Sequence, residues 1–436
     1  MTMFSVRRIA LAGAASTAAL VSAGAAHASA FYLQEQSVRA AGRAFSGEAA
    51  DQGAASLWWN PAAGAGNATS TVYAGAAAIL PKGDVRNNGT LIVRPGQAPA
   101  PVGGEQVSVN PLKKGVLPSG AASWKLNDQF AVGLAITAPF SFMTNYSGTS
   151  WARYTADKTR LTTFDIQPSI AFAPSPMFGV GIAINAEHSK ASLSNSLPNL
   201  SPLLPDGHQT LRGKGWDFGY TVGVQVHPSK MIDLGFAYKS SVKHVLNGNV
   251  TTAGLLGPLA GSNGTISNIK AKFRTPWQAI ASARVHVSDA LTLNGQVVRA
   301  GWKKFDAIRL GAPLNAALPQ TYRNSWSVAG GVDYAVTPAW TMRTGVQWDQ
   351  TPTRDGFRDA RVPDASRINF ALGTSYAITE SITLDAAASY VDFKNASIDR
   401  VTAAYAGTPV QTPILTNGQL HGAHAIILAL GGRMSF

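Results

Sequence analysis

The sequence contains no cysteine and few charged residues, and both shortages narrow the possible functions. Without cysteine, neither a disulfide framework nor a cysteine-ligated metal site can form. Only 14% of the 436 residues are charged, whereas glycine occurs 43 times. The phosphate-binding pattern GxxxxGK[ST] and the nucleophile pattern GxSxG are also missing. The sequence therefore gives no indication of ATP hydrolysis or of a serine hydrolase, and we expect neither a cofactor nor a bound metal.

Positive charge exceeds negative charge, with 36 Lys and Arg against 23 Asp and Glu and a net charge of +13. The basic residues are spread singly along the chain, without the clustered stripe that phosphate tracking on nucleic acid needs. We therefore expect no nucleic-acid partner. A surface that faces anionic lipopolysaccharide accounts better for the excess.

The N-terminus has the features of an exported protein. Two arginines precede an apolar run from Ile9 to Ala26, and the tripeptide AHA at 26–28 supplies a small-x-small cleavage site. Residues 1–28 are thus predicted to be a signal peptide, with the mature chain beginning at Ser29. Cleavage after Ala30 is the alternative. No later run is a persuasive membrane-spanning helix, since Ala62 to Leu80 is interrupted by Gly, Asn, Ser and Thr.

From about residue 69 onward, apolar and polar residues alternate with a period of two. In the segment MIDLGFAYK at 231–239, Ile232, Leu234, Phe236 and Tyr238 share one parity, and more polar or small residues share the other. This alternation is typical of a transmembrane β-barrel, although a soluble β-sandwich produces the same pattern in each strand. Loop lengths must distinguish the two.

Fourteen segments have strand character, from 69–80 to 421–436, and their connections alternate between long and short. Loops such as 81–118 and 351–365 follow odd-numbered strands, and tight turns follow even-numbered ones. This asymmetry predicts an all-β, antiparallel outer-membrane barrel over 67–436, with both termini on the periplasmic side of a Gram-negative outer membrane.

The last strand ends on an aromatic residue, Phe436. His424, Ile426, Leu428 and Leu430 share its parity. A terminal aromatic on an amphipathic strand is what outer-membrane barrels present to the barrel assembly machinery. We therefore predict that this machinery is a partner of the chain. We also expect the barrel to be a monomer.

The stretch 29–66 precedes the strands and is too polar to span a bilayer. It is rich in Gly and Ala and sets Arg39 and Arg43 against Glu48 and Asp51. Such a segment is too short to be a domain of its own. It is predicted to be a plug, or hatch, inside the lumen of the barrel.

Several motifs in order resemble the long-chain fatty acid transporter family of FadL-type outer-membrane proteins, over essentially the whole mature chain. The matching segments are GRAFSGE within Phe31 to Gly47 with its continuation, WNPA at Trp59 to Ala62, ITAPFSF at Ile136 to Phe142, WARY at Trp151 to Tyr154, GWDFGYTVGV at Gly215 to Val224, RTGVQWDQTP at Arg343 to Pro352 and VPDASR at Val362 to Arg367. The resemblance implies passive uptake of hydrophobic compounds, above all long-chain fatty acids. In this mechanism a ligand enters among extracellular loops, occupies an apolar pocket beside the mature N-terminus and leaves sideways through the barrel wall.

The resemblance also implies roles for individual hatch residues. Phe31 matches the aromatic that occupies the family's pocket, so it is the predicted stopper that a ligand displaces; an ordinary anchor of the hatch is the alternative. Asn60 and Pro61 match the turn where the hatch approaches the wall, which we expect to face the wall at Pro139. A purely structural turn would explain the same two residues, because Pro fixes φ and Asn bonds local backbone.

The third strand, predicted as 129–142, carries the expected exit. Pro139 has no N–H and cannot complete a ladder bond, which indicates a bulge or kink in the wall. A lateral opening is therefore predicted at Ala138, Pro139, Phe140, Ser141 and Phe142. The family usually has Gly where this chain has Ser141, and a bulge that merely bends the strand is the alternative.

Leu193 and Leu211 align with apolar, pocket-lining positions of the family. A fatty acid carboxylate would also need a basic partner. Arg309 and Lys190 are the candidates, because positions where relatives carry Arg or Lys are Leu193 and Leu318 here. Because Leu193 and Leu318 carry no charge, a neutral cargo such as a monoaromatic hydrocarbon is the alternative.

Functions of other classes find less support in the sequence. His421 and His424 are three residues apart on a predicted strand, so they face opposite sides and cannot share a metal. A general porin would need an open lumen, which conflicts with nearly forty residues before the first strand. A surface adhesin would use loops such as Val85 to Pro118 on the same barrel.

Overall fold

Strands account for most of residues 30–436, which are the residues that this computed structural model describes; the predicted signal peptide lies outside them. In chain order the first twelve strands are β1 Thr71–Asn87, β2 Leu91–Ile92, β3 Ala100–Pro101, β4 Val107–Val109, β5 Gly115–Lys125, β6 Phe130–Thr137, β7 Ser141–Asn145, β8 Lys158–Ser175, β9 Phe178–Leu197, β10 Gly207–Ser229, β11 Ile232–Lys239 and β12 Lys243–Ala253. The others are β13 Gly264–Arg274, β14 Gln278–His286, β15 Leu291–Ala300, β16 Ala307–Leu310, β17 Ala317–Pro319, β18 Ser325–Thr337, β19 Trp340–Asp349, β20 Arg367–Ala377, β21 Ile382–Phe393, β22 Ala396–Ala404 and β23 Thr412–Ser435.

These strands form a closed antiparallel barrel. Five crossings of the wall are each made by two consecutive strands, namely β6 with β7, β11 with β12, β13 with β14, β15 with β16, and β21 with β22. Strand β1 pairs with β23 from Thr71↔Ser435 to Asn87↔Gly418 and closes the ring. The described residues thus give the predicted fourteen crossings.

The two faces of the wall have the predicted polarity. On β10, Phe218 is 70% exposed and Tyr220 is 49% exposed, whereas Thr221 and Gln225, which have the other parity, are buried. Since successive side chains of a strand point to opposite faces, the apolar side chains lie outside and the polar ones lie in the lumen. Among residues 30–436, no helix has the length and apolar character needed to cross a bilayer.

The connections are short at one end of the barrel and long at the other. Residues 176–177 join β8 to β9, and residues 230–231 join β10 to β11. At the opposite end the strands are long, and β10 and β23 reach 23 and 24 residues. A bilayer needs only about ten residues per strand, so the wall projects beyond the apolar belt at the long-loop end.

The C-terminus lies at the short-turn end, beside the start of the first strand. The backbone N–H of Phe436 donates to the carbonyl of Ser70 at 3.0 Å, and the N–H of Ser70 donates to the carbonyl of Phe436 at 3.1 Å. The Phe436 side chain is half exposed. This places the terminal aromatic at the seam of the barrel, and its role in assembly stays a prediction.

The hatch, defined here as residues 30–66, lies inside the lumen. It contains one short helix, α1 Val38–Ala41, and 3₁₀ turns at Glu48–Ala50, Ala54–Ser56 and Pro61–Gly64. The Ser37 hydroxyl accepts a hydrogen bond from the Ala40 N–H and caps α1. Small side chains keep these turns close to the wall. Nearly the whole segment is buried, so it is packed as a core rather than as a solvated tail.

An ion-pair network fixes the hatch to the wall. The Arg43 side chain is fully buried; its Nη2 lies 2.5 Å from Glu48 Oε1 and from Asp51 Oδ2 within the hatch. Its Nη1 lies 2.9 Å from Asp333 Oδ2 on β18. Arg284 on β14 adds a second ion pair between wall and hatch, since its Nη1 lies 2.6 Å from Asp51 Oδ2. Each buried charge of the network therefore has partners of opposite sign, which offset the cost of its desolvation.

Replacing Arg43 with Met should loosen the hatch, because Glu48 and Asp51 would keep buried charges without their central partner. Breaking a buried pair in this way costs about 3–5 kcal/mol. Hydrogen exchange of residues 30–66, followed by mass spectrometry, should then accelerate by roughly two orders of magnitude or more.

The matched control is Arg309→Met, which removes an exposed arginine paired with exposed Asp306. It should leave hatch exchange unchanged. Equal exchange in Arg43→Met and the unmodified protein would show that the network does not hold the hatch.

Candidate functional site

The aromatic ring of Phe31 lies at the upper end of the hatch, among four other aromatic rings. Its centroid is 4.9 Å from that of Trp302, 5.1 Å from Phe305, 5.7 Å from Phe142 and 5.9 Å from Phe140. Three of the four pairs are edge-on, an arrangement that aromatic quadrupoles favour. The side chain is 1% exposed. Phe31 thus fills an aromatic pocket inside the barrel.

An apolar cavity lies directly beside this ring. Leu193 on β9 and Leu211 on β10 are paired across the two strands, and both line it. Phe142, Phe273 and Ile308 contribute further apolar surface. The free space is only about 60 Å³, the volume of roughly two water molecules in the liquid. In this state the cavity is too small for a drug-sized ligand, whose pocket is typically about 300 Å³ or more.

Arg361 supplies the basic group of this cavity. It lies in the loop between β19 and β20, and its guanidinium reaches across to β8 and β9. Its Nη1 donates to the Ser194 carbonyl at 3.2 Å and to Thr159 Oγ1 at 3.4 Å, and its Nη2 donates to Asn195 Oδ1 at 3.1 Å. All three acceptors are uncharged. Burial lowers the pKa of Arg361 below its ordinary value, although nearby carboxylates oppose this shift.

The two basic residues proposed from the sequence lie elsewhere. Lys190 is exposed and points away from the cavity that Ala191 and Leu193 line, since residues one and three positions apart on a strand face opposite sides. Arg309 is also exposed and pairs with Asp306, while its neighbour Ile308 faces the cavity. Neither Lys190 nor Arg309 lines the cavity, and Arg361 takes the place that was expected for them.

The wall is interrupted at the segment predicted as the exit. Strand β6 ends at Thr137 and β7 begins at Ser141. The intervening residues bond to the hatch: the Leu33 N–H donates to the Pro139 carbonyl at 2.8 Å, and the Ser141 N–H donates to the Phe31 carbonyl at 3.0 Å. Tyr32 and Phe140 form the antiparallel bridge between these two bonds. The start of the hatch therefore acts as a short strand added to the displaced segment.

The side chain of Gln36 strengthens this contact. Its Oε1 accepts from the Ala138 N–H at 3.1 Å, and its Nε2 donates to the Ala138 carbonyl at 3.2 Å. On the other side, Thr163 Oγ1 accepts from the Phe140 N–H at 2.8 Å, and Ser141 Oγ donates to the Leu161 carbonyl at 3.0 Å. The displaced segment is thus fully supported although it has left the regular ladder.

A gap in strand pairing lies opposite this segment. Strand β5 pairs with β6 only from Gly120↔Ile136 to Lys125↔Ala131, and contact resumes at the bridge Leu112↔Thr144. Within the described chain, no ladder pairing joins 114–119 to 137–142. Pro118 and Pro139, one on each side of the gap, both lack an N–H. The gap therefore contains the predicted segment Ala138 to Phe142, and its edges have little capacity to close by backbone bonds.

The turn at Asn60 and Pro61 has a different neighbour from the one expected. Asn60 Nδ2 donates to the Ala49 carbonyl at 2.7 Å and to the Val224 carbonyl of β10 at 3.1 Å. A side chain at Gly223 would come within 1.8 Å of Asn60 Oδ1, and one at Gly181 within 2.4 Å of Pro61. The turn therefore contacts β9 and β10 and does not face Pro139. The expectation failed because Trp58 lies beside Pro139 while Asn60, two residues later, bonds to β10.

A buried polar cluster beneath the displaced segment was not foreseen. Asn185 Nδ2 donates to Asp165 Oδ2 at 2.7 Å, and Lys239 Nζ lies 3.3 Å from the centroid of the Trp58 ring. Glu187 lines the same small space. These lumen-facing positions alternate with apolar outward ones, which is the signal that could have revealed them. The described residues contain no cluster of His, Cys, Asp or Glu that could hold a metal ion.

Fold and site together define a plugged β-barrel channel with an apolar cavity and an interrupted wall. The family model described as outer membrane protein transport protein (OMPP1/FadL/TodX) matches residues 19–436. The chain belongs to this family. It is accordingly an outer-membrane transport protein for hydrophobic compounds, and the family consists of transport channels.

Individual relatives agree with this assignment. The chain is 26% identical over 394 residues to a long-chain fatty acid transport protein of Escherichia coli O6:H1, covering 83% of this chain and 86% of that one. It is 25% identical over 428 residues to outer membrane protein P1 of Haemophilus influenzae, covering 88% and 90%.

Two solved structures show the same fold. A FadL homologue of Pseudomonas aeruginosa superposes with a TM-score of 0.81 at 22% identity and covers 93% of this chain and 99% of its own. The Pseudomonas putida toluene transporter TodX gives a TM-score of 0.61 at 15% identity, with 88% and 94% covered.

A cysteine pair should report the contact between the hatch and the displaced segment. Tyr32 and Phe140 lie opposite each other between two backbone bonds, a geometry with Cα atoms about 4.5 Å apart. That separation suits a disulfide. Because the chain has no cysteine of its own, Tyr32→Cys/Phe140→Cys should form one disulfide during export, measurable by thiol counting under denaturing conditions.

The control pair is Tyr32→Cys/Ala135→Cys. Ala135 is buried five residues before Phe140 on β6, about 16 Å further along the strand. This pair should retain two free thiols. Two free thiols in the first pair as well would contradict the contact.

Proposed function

We propose that this protein is a passive channel for long-chain fatty acids, in which Arg361 holds the carboxylate and the apolar cavity holds the adjoining part of the acyl chain. The observation that carries the proposal is a guanidinium that lines an apolar cavity and bonds only to uncharged oxygens. The printed function of the Escherichia coli relative supports the same cargo.

The charge of Arg361 favours an anionic ligand. Among the described residues no carboxylate lies within ion-pair distance of its guanidinium, and the nearest acid in sequence, Asp359, pairs with Arg400 at 2.7 Å. The guanidinium is partly buried and has no ion-paired acid, so it carries a desolvation cost. A ligand carboxylate would offset that cost with charge-assisted hydrogen bonds, which a neutral ligand cannot make.

The apolar lining favours a long hydrocarbon chain. Moving each CH₂ group from water into an apolar site gains about 0.8 kcal/mol. The cavity, however, has only about 60 Å³ of free space beside the Phe31 ring. An acyl chain can therefore enter only if that space expands, and displacement of Phe31 is the simplest way to expand it. Phe31 is thus the proposed gate.

Displacement of Phe31 is coupled to the proposed exit through the backbone. The Phe31 carbonyl accepts from the Ser141 N–H, and Leu33 bonds to Pro139. A movement of the ring that carries its backbone along removes these bonds from the displaced segment at the gap in the wall. The buried polar residues Asp165, Glu187 and Lys239 make the lumen below unfavourable for an acyl chain. The ligand therefore leaves sideways into the membrane.

Monoaromatic hydrocarbons are a second candidate cargo, favoured by the aromatic lining. Phe31, Phe142, Phe273 and Phe305 all face the cavity, and flat ligands stack well on such rings. Two structural neighbours, TodX and the channel CymD, are described as transporters of toluene and of monoaromatic hydrocarbons. The two cargoes differ in charge, so Arg361 distinguishes them.

Arg361→Met should weaken oleate binding and leave toluene binding unchanged, because only oleate carries a carboxylate. Hydrogen bonds to charged groups contribute about 1.5–3 kcal/mol, so the dissociation constant for oleate should rise roughly tenfold to a hundredfold. Isothermal titration of the purified protein measures both. Arg354→Met, an exposed arginine of the same loop, is the control.

An equal loss of affinity for oleate and for toluene would show that Arg361 shapes the cavity but does not bind the carboxylate. Liposome uptake of oleate, toluene and a small sugar completes the test of function. Passage of the sugar without uptake of either hydrophobic compound would contradict a plugged channel for hydrophobic cargo.

The disulfide between positions 32 and 140 should stop oleate uptake, because it holds the backbone of the hatch against the displaced segment. Uptake into liposomes should fall to the level of protein-free vesicles and recover after reduction. The reduced double variant and the two single variants control for the lost aromatic rings. Unchanged uptake in the oxidised protein would contradict coupling between gate and exit.

A further inference from the structure

The outward face of β10 changes character in a fixed order along the strand. Arg212 and Lys214 come first at the long-loop end, Trp216 follows, and Phe218 begins an aromatic and aliphatic run that continues to Val226. From Trp216 to Val226 the strand rises about 33 Å, or about 25 Å along the membrane normal at the usual strand tilt. That height equals the apolar belt of outer-membrane barrels, so Arg212 and Lys214 lie just above the hydrocarbon.

Neighbouring strands place further basic residues beside Arg212 and Lys214. Lys214 pairs with Lys190 of β9 on one side and with Asn247 of β12 on the other, and Asn247 pairs with Lys270 of β13. Directly opposite residues of antiparallel strands point to the same face. Lys272 lies two residues along from Lys270 on β13, and therefore on the same face. We call Lys190, Arg212, Lys214, Lys270 and Lys272 the basic wall patch.

The basic wall patch has no compensating acid beside it. All five side chains belong to exposed residues, and none forms an ion pair with another described residue. The acids of β9 and β10, Glu187 and Asp217, have the opposite parity to the patch residues and face the lumen. Strands β12 and β13 contain no acid at all. The patch is therefore a surface that carries only positive charge and faces the exterior of the barrel.

Trp216 fixes the depth of the patch. It is 52% exposed and lies beside His188, with ring centroids 5.0 Å apart and the two rings tilted by 49°. Tryptophan at the top of an apolar belt marks the boundary between hydrocarbon and headgroups. The basic wall patch begins one outward position above this ring. Anything bound there would have its charged part at headgroup depth and its apolar part along Phe218, Tyr220 and Val222.

We propose that the basic wall patch is a binding site for the phosphorylated glycolipid of the outer leaflet, lipopolysaccharide, with the phosphate groups on the five cations and the acyl chains along the apolar run of β10. The charge complementarity supplies the first contact and the continuous apolar run supplies the second. A free phosphate ion would use only the first. This site is separate from the cavity at Phe31 and Arg361, because it lies on the opposite face of the wall.

The test uses full-length protein carrying Arg212→Gln, Lys214→Gln and Lys270→Gln. Native mass spectrometry from detergent should measure binding of lipopolysaccharide, of the same glycolipid without phosphates, and of lipopolysaccharide in the presence of millimolar inorganic phosphate. The control variant, Lys82→Gln with Lys303→Gln and Lys304→Gln, removes the same charge from exposed residues elsewhere. Circular dichroism during heating checks that both variants keep the barrel.

The patch variant should bind lipopolysaccharide roughly tenfold to a hundredfold more weakly than the control, given the usual contribution of each basic residue near an anionic leaflet. The dephosphorylated glycolipid should bind both variants equally and weakly. Equal binding of lipopolysaccharide to both variants would overturn the proposal. Full competition by inorganic phosphate would also overturn it, since the site would then hold an anion without the lipid.

Discussion

The backbone pairing of Phe31–Leu33 with residues 139–141 is the contact on which the proposed transport path depends. Two hydrogen bonds, from Leu33 to Pro139 and from Ser141 to Phe31, join the start of the hatch to a segment that has left the wall. The same three hatch residues include the ring that fills the cavity. Occupation of the cavity and the shape of the wall are therefore set by one short piece of backbone.

The lumen has two zones with different interactions. Buried ion pairs hold the lower part of the hatch, and apolar packing surrounds the upper part, where the contact with the wall lies. Arg43, Asp51 and Asp333 fix the lower part of the hatch to the wall through desolvated ion pairs. The side chain of Phe31 makes only packing contacts with its aromatic neighbours. Because packing contacts are individually weak while a broken buried ion pair is costly, a hydrophobic ligand can compete for the upper zone and leave the lower zone in place.

The sequence was sufficient for the barrel but not for the ends of its strands. Alternating parity and tight turns predicted fourteen strands, and the fold and family are confirmed. The first strand, however, ends at Asn87 and not at residue 80, and the last begins at Thr412 and not at residue 421. The two strands pair with each other above the membrane, and such pairing needs no apolar face, so it leaves no alternation in the sequence.

Strand parity predicts some of the residues that line the cavity but not all of them. The parity of Lys190 against Leu193 was visible in the sequence and already placed them on opposite faces of β9. Arg361 could not be found in this way, because it reaches β8 and β9 from a loop that follows β19. Only the closure of the barrel brings these parts together. The displaced segment was predicted from Pro139, but its partner in the hatch required the structure.

Hydrogen exchange at individual amides, with and without oleate, is the sharpest test of the coupling between the hatch and the wall. The Leu33 and Ser141 N–H groups form the two bonds between hatch and wall, so saturating oleate should accelerate exchange at both amides together while amides around Arg43 keep their protection. Faster exchange at neither amide, or at Leu33 alone with Ser141 unchanged, would contradict a gate that is coupled to the wall.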